Sequence, residues 1–324
     1  MKAIICPKYG PPEVLELSEV PKPVPKDNEI LIRNHATTAL LGDCETRGFN
    51  FPHLGPGLRL IMRLGFGITG PRSKILGQQL AGVVEEIGQK VTHFKPGDEV
   101  YACTGLGMGA YAEYKVMKEN GVVTFKPENM TFEEASTIPV GGSEALHFIR
   151  LANIQSDQSV LVNGAGGSIG TIAVQLAKSY GAEVTAVDSA GKFEMLESLG
   201  ADHCIDYKQE NFWDREEKYD VIFDVVGVAP FEGCMNSINE SGTYIRGNGS
   251  IARGDKSRAA KLGVTTIDKP ADYSANILAD LRNQIESGTI RTYIDRTFAL
   301  EQMEEVHRFI EAGGKLGNVV VTID

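Results

Sequence analysis

One stretch constrains this chain more than any other: SVLVNGAGGSIGTIAVQLAKSYGAEVTAVD, residues 159–188. A short apolar run ends at Asn163. Gly164, Ala165, Gly166, Gly167, Ser168, Ile169 and Gly170 follow, then apolar residues at helical spacing, then a second apolar run ending on Asp188. This reads as strand, tight turn, helix, strand. The small residues stand as AxGxxG, with Ala165 in the first glycine slot. The first allows the tight turn, Gly167 lets the backbone approach a pyrophosphate, and Gly170 lets helix and strand pack closely. The helix N-terminus presents unpaired N–H groups and the positive end of a dipole to phosphates. A glycine pattern alone is weak, but this one sits between strand and helix and has an acid 21 residues after Gly167. The segment is therefore expected to bind a dinucleotide.

Asp188 can accept the ribose hydroxyls of NAD and would repel a 2′-phosphate. Lys192 lies four residues on, and Tyr207 ends the next expected strand. These two can offer a cation and a hydroxyl to a 2′-phosphate. The signals oppose one another, and the expectation is NAD(H) or NADP(H), with a slight lean to NAD.

Around this motif the texture of the chain changes. Up to about residue 125 there are short apolar or alternating runs (AIIC, VLELSEV, EILIRNHA, AGVVEEIG, DEVYACTG, AYAEYKV) punctuated by PPE, PKPVPKDNE and KPGDE. This is the pattern of a β-rich domain. Residues 51–75 read as an irregular insert with Arg59, Arg63, Arg72 and Lys74, either a solvated, loosely helical loop or a lid over a cleft. From Thr131, which with Glu134 forms a capping-box pattern, strands and helices alternate. Six strands are expected there, mostly without alternation of apolar and polar residues. That marks a parallel, doubly wound sheet buried on both faces. After residue 269 come two amphipathic helical segments and the strand-like GNVVVTID, expected to return to the β-rich domain.

Composition closes off other classes. The 43 acidic and 32 basic residues leave a formal charge of −11, poor for binding nucleic acid or an anionic membrane. The most apolar stretch is interrupted by Arg59 and Arg63 and is too short to span a bilayer. The opening MKAIICPKYGPP does not read as a signal peptide. Cys6, Cys44, Cys103, Cys204 and Cys234 form no CxxC, which suits free thiols in a cytoplasmic protein. His35, His53, His93, His147, His203 and His307 show no paired ligand spacing. Tyr111 and Lys115 match YxxxK, but in a strand-like run before the glycine turn rather than on a helix after it.

The β-rich opening, AGVVEEIG, FKPGDEVYA, GAYAEYKV, the glycine turn and the closing GNVVVTI together resemble the medium-chain dehydrogenase/reductase superfamily, in its zinc-free quinone-oxidoreductase-like branch. The resemblance runs over essentially the whole chain. It implies an α/β protein: a Rossmann dinucleotide-binding domain at 126–268 and a discontinuous β-rich GroES-like catalytic domain at 1–125 and 269–324, with the active site in the cleft between them. It adds Gly247, Asn248 and Asn318 to the expected cofactor contacts and implies a homodimer. Zinc-dependent relatives have a cysteine ligand where Leu40 stands, a hydroxyl relay where Gly42 stands, and His-Glu where Gln78-Gln79 stand. Catalytic zinc needs three strong ligands, so no metal is expected. The usual Asn of zinc-free relatives is also replaced by Leu40, and their Leu-Thr by Ser143-Glu144. Leu40, Gln78 and Thr104 are the expected substrate-cleft residues; no catalytic residue is assigned.

Without a Lewis acid to hold an alkoxide, alcohol oxidation is disfavoured. The implied activity is hydride transfer from NAD(P)H to a small-molecule electron acceptor, a quinone or an α,β-unsaturated carbonyl. A non-catalytic dinucleotide binder, acting as a redox sensor or structural protein, is the alternative.

Overall fold

A computed structural model describes residues 1–51 and 55–323; His53 lies outside them. The chain divides into two units. One comprises Met1–Val140, Tyr273–Glu286 and Ile294–Asp324, the other Gly141–Asp272 and Ser287–Tyr293. The crossing thus falls at residue 140, and residues 126–140 pack with the β-rich unit. The reason is local. The capping box forms, with the Glu134 N–H on Thr131 Oγ1 (3.2 Å) and the Thr131 N–H on Glu134 Oε2 (2.9 Å). The short helix it starts packs on strands of the first unit. Pro139 then opens a separate helix, as proline does at a first turn.

In the β-rich unit the chain runs β1 (Lys2–Ile5), β2 (Glu16–Glu19), β3 (Glu29–Thr38), α1 (Leu41–Gly48), α2 (Pro56–Phe66), β4 (Gln79–Ile87), β5 (Glu99–Cys103), β6 (Tyr114–Lys118), β7 (Val123–Phe125), α3 (Phe132–Ser136) and the start of α4 (Pro139–Ala152). The insert expected to be irregular therefore contains a regular three-turn helix, α2. The parallel-sheet unit follows with β8 (Ser159–Asn163), α5 (Ser168–Ser179), β9 (Glu183–Asp188), α6 (Phe193–Ser198), β10 (His203–Asp206), β11 (Tyr219–Asp224), α7 (Phe231–Asn236), β12 (Ile238–Arg246), α8 (Arg253–Lys261) and β13 (Thr265–Ile267). The chain then returns through α9 (Ala275–Glu286), β14 (Ile294–Ala299), α10 (Met303–Glu311) and β15 (Asn318–Thr322) to the β-rich unit.

The β-rich unit carries a sheet in the order β14-β15-β3-β4-β5-β7, with β6 also on β3. β3 is its long centre: Ile30, Leu31 and Ile32 are fully buried between apolar layers. The other unit holds the parallel sheet β10-β9-β8-β11-β12-β13. Numbered within that unit, the order is 3-2-1-4-5-6, that of a Rossmann fold. Its strands are buried on both faces, which explains their unbroken apolar runs. The strand order reverses next to β8, so the loops after β8, β9 and β11 meet at the carboxyl edge of the sheet. That edge is where open α/β sheets hold ligands.

Candidate functional site

The glycine turn lies at that edge. Gly164 sits at φ 87° and, with Ala165, donates its N–H to the Val187 carbonyl (2.9 and 3.2 Å), tying the turn to the end of β9. Gly170 is packed against the turn: a Cβ there would lie 2.3 Å from the Gly164 oxygen and 2.5 Å from Ala165 Cα. Gly167 is the opposite. It caps α5, and a Cβ there would meet nothing nearer than 3.8 Å. One glycine closes the helix onto the strand, and the other leaves space open beside the first turn of α5, where Ser168 and Ile169 stand.

Asp188 is buried at the end of β9 and faces inward. One oxygen accepts the Gly166 N–H and the other the Ser189 N–H, each at 2.8 Å. Lys192 Nζ lies 2.8 Å from Oδ1, with both side chains mostly covered. The carboxylate thus holds the glycine turn in shape and carries its own counter-ion. Tyr207 is more than half exposed, and its N–H reaches the Asp188 carbonyl (3.4 Å). Gly247 and Asn248 follow β12 at the same edge. The Gly247 N–H donates to the Asp224 carbonyl (2.9 Å) and the Asn248 carbonyl accepts Arg246 Nε (3.2 Å). Sequence reasoning missed Asp224. It is fully buried and accepts from Asn163 Nδ2 (2.8 Å), the Gly227 N–H (3.0 Å) and the Ala229 N–H (3.3 Å), so it fixes the loop after β11. Burial pushes its pKa up, and those donors oppose the shift. Its signal was an acid at a buried strand end, the same signal that singled out Asp188.

The other predicted residues belong to the β-rich unit. Leu40 caps α1, and its N–H donates to Asp43 Oδ2 (3.0 Å). Gln78 Nε2 donates to Asp43 Oδ1 (3.3 Å), and Tyr111 Oη donates to Oδ2 (3.0 Å). Asp43 is completely buried, and desolvation pushes its pKa up to about 6 against these hydrogen bonds. The Thr104 hydroxyl donates to the Gly77 carbonyl (3.0 Å), and its N–H to the Gln78 carbonyl (2.7 Å). Leu40, Gln78 and Thr104 therefore belong to one cluster, with Asp43 at its centre. Tyr111 serves this cluster and precedes the strand that carries Lys115, so the two share no strand face. Asn318 is buried at the first position of β15.

Behind Asp43 lies a second polar group. Arg47, nearly fully buried, directs Nε to the Gly10 carbonyl (3.0 Å), Nη1 to His307 Nδ1 (3.1 Å) and Nη2 to Glu311. Burial first, and Arg47 second, hold the His307 pKa down to about 3. The ring is neutral, accepts at Nδ1, and carries its proton on Nε2, which has no hydrogen-bond partner among the described residues.

The comparisons agree with this architecture. Residues 26–127 match the alcohol dehydrogenase GroES-like domain, and residues 199–321 match a zinc-binding dehydrogenase domain. The 2-methylene-furan-3-one reductase of Solanum lycopersicum is 32% identical over 333 residues, covering 99% of this chain and 79% of the relative. The chloroplastic NADPH-dependent alkenal/one oxidoreductase of Arabidopsis thaliana is 30% identical, with 99% and 79% covered. The solved quinone oxidoreductase of Coxiella burnetii is 27% identical with a TM-score of 0.87, over 100% of this chain and 99% of that one. This chain belongs to the quinone-oxidoreductase-like branch of the medium-chain dehydrogenase/reductase superfamily.

Zinc-dependent members of the superfamily hold their metal where this chain has Leu40, Gln78 and Gln79, and these residues do not fit a zinc ion. Leu40 has no donor atom. Gln78 is held by Asp43. Gln79 is fully buried with both ends of its amide engaged, Oε1 by the Val140 N–H (2.7 Å) and Nε2 by the Thr38 hydroxyl. Neutral amides are also weak zinc ligands beside Cys, His and carboxylate. Among the described residues no group of three His, Cys, Asp or Glu side chains is placed to hold a metal. None of their helices is long and apolar enough to cross a membrane.

Proposed function

We propose that this chain is a zinc-independent, NAD(P)H-dependent reductase of quinones or α,β-unsaturated carbonyls. The observation that carries the reading is the space left open at Gly167, beside a helix N-terminus at the reversal point of a 3-2-1-4-5-6 sheet. The names of the relatives, a furanone reductase, an alkenal/one oxidoreductase and quinone oxidoreductases, support the acceptor class.

In this reading Gly164, Ala165 and Gly167 give a pyrophosphate close access to the backbone, and the first turn of α5 at Ser168 and Ile169 faces its charge. Gly170 keeps that turn against the strand. Asp188 and Lys192 stand at the adenosine ribose, with Tyr207 exposed beside them and Gly247 and Asn248 on the neighbouring loop. Asn318 is assigned to the cofactor by family position alone. A bound nicotinamide supplies the hydride. Leu40, Gln78 and Thr104 belong to the acceptor side. The second N–H of the Gln78 amide is the donor offered to an acceptor oxygen, and Asp43 is the positioning residue that orients it. Hydrogen-bond donors aimed at an oxygen that gains charge stabilise the transition state, and positioning supplies much of the remainder.

The test is the loss of reduced-nicotinamide absorbance from NADH and NADPH with a panel of small quinones and enones. Turnover of either class, with Gln78→Leu lowering kcat/KM about tenfold or more, supports the assignment. Tight cofactor binding without turnover of any acceptor would replace it with a non-catalytic binder.

A further inference from the structure

Within the β-rich unit, a cavity of about 560 Å³ opens between the end of α2, the loop at 105–108 and α1. We infer that this cavity receives the hydrocarbon chain of the electron acceptor, so that the preferred substrates carry an alkyl tail. The inference rests on the proposed reductase activity and adds the class of acceptor.

Its walls are apolar. Leu76 and Met108, both buried, face it together with Phe66, Pro71 and Leu106. The polar rim is engaged elsewhere: Arg72 Nη2 donates to the Leu64 carbonyl (2.9 Å) and the Ser73 hydroxyl to the Ile75 carbonyl (3.0 Å). No Asp or Glu occurs between residues 46 and 84, so no carboxylate from this segment would be desolvated by an apolar guest. The volume lies within the roughly 300–1,000 Å³ usual for small-molecule sites.

Two features mark the space as kept open. Gly65 and Gly107 both line it, and a Cβ at either would meet nothing within 4 Å among the described residues. Met108 sits at φ 49° and ψ −159°, a conformation that L residues rarely adopt. Such backbone strain persists where the surroundings over-determine it, often at ligand clamps. The cavity also adjoins the acceptor cluster. Thr46, on its wall, bonds the Gly42 carbonyl one helical turn back (2.7 Å), and the Cβ direction of Gly42 points at Gln78 Nε2, 3.3 Å away. A carbonyl or quinone head at Gln78 would thus have apolar space within reach of its tail.

The experiment is a series of straight-chain α,β-unsaturated ketones of increasing length, assayed with parent, Gly107→Phe and Gly65→Trp. Each buried methylene should raise kcat/KM of the parent roughly fourfold until the cavity is filled. Either variant, filling the space from its own wall, should lower the ratio of longest to shortest substrate at least about tenfold. A parent that reduces short members with no dependence on length would overturn the inference, as would folded variants that keep the parent's slope. If no member is reduced, the reductase reading fails and the cavity is read by itself. Saturated methyl alkyl ketones should then raise the thermal midpoint of the parent more as the chain lengthens, and Gly107→Phe should abolish the trend. No such trend in the parent would remove the tail site.

Discussion

The glycine turn of the parallel-sheet unit and the Asp43 cluster of the β-rich unit are built on opposite principles. The turn is backbone. Gly167 and Gly170 act through the side chains they lack, and the bonds that shape the turn run between neighbours on adjacent strands. The cluster is side chain. Its Tyr111–Asp43 bond joins residues 68 apart in sequence, and its Arg47–His307 bond joins residues 260 apart. A site made of backbone tolerates little change at its small residues and is indifferent to the rest of the chain. A site made of distant side chains can change its chemistry while the fold stays the same.

The largest effect should come from the two glycines, which separate packing from binding. Gly170→Val drives a side chain into the Gly164 carbonyl and Ala165, and overpacking of this kind costs about 1–3 kcal/mol. It should lower the thermal midpoint and abolish NADPH fluorescence enhancement together. Gly167→Leu, with open space around its Cβ, should leave the midpoint nearly unchanged and abolish only the binding. A Gly170→Val protein that unfolds like the parent and still binds cofactor would break the distinction.

The next effect probes the cluster through pH. His307 in the folded chain titrates near 3 instead of 6.5, so its contribution to stability is complete above pH 6.5 and is lost as pH falls toward 3. Asp43 has the opposite sign. Its pKa is about 6 instead of 3.8, so its contribution is complete below 3.8 and is lost as pH rises through 6. Between pH 4 and 6 the two oppose each other. His307→Gln retains an acceptor for Arg47 and removes one of the pair. The stability difference between parent and variant should therefore grow with pH by about 1 kcal/mol per unit from 4 to 6, then level off above 7. Denaturant unfolding across that range measures it. A pH-independent difference would mean that His307 is not buried as a neutral ring.

The same contrast explains how much of the molecule was legible in the sequence. The turn and the alternating strands and helices followed from residues within 30 positions of one another, because neighbouring backbone defines those features, and the family followed from short local motifs spread along the whole chain. The switch between units at residue 140 did not follow. It depends on α3 packing against β3 and β4, far away in the chain. Leu40 and Gln78 were singled out by family position and Thr104 only as a neighbour of the expected cleft, but Asp43, which joins the first two through its carboxylate, carried no local signal. Neither did Arg47 and His307, since their partners come from opposite ends of the chain. α2 was obscured by the glycines at 55, 57 and 65 and by arginines placed between its apolar residues.

The smallest effect tests the one place where the turn does depend on side chains. Asp188 holds the Gly166 and Ser189 N–H groups and pairs with Lys192, so its charge is already balanced before any ribose approaches. A 2′-phosphate would meet an ion pair instead of a bare carboxylate, and a ribose hydroxyl would compete with bonds already made. Preference between NADH and NADPH should therefore be modest, around tenfold or about 1.4 kcal/mol. Asp188→Ser should move the affinity ratio toward NADPH by freeing Lys192, and should weaken both cofactors because the Gly166 N–H loses its carboxylate. Lys192→Ala should move the ratio toward NADH. Titration of both cofactors against parent and variants resolves the two effects. A ratio that stays constant while both affinities fall would make Asp188 a support of the turn alone, and would place the choice of cofactor elsewhere on the exposed edge near Tyr207.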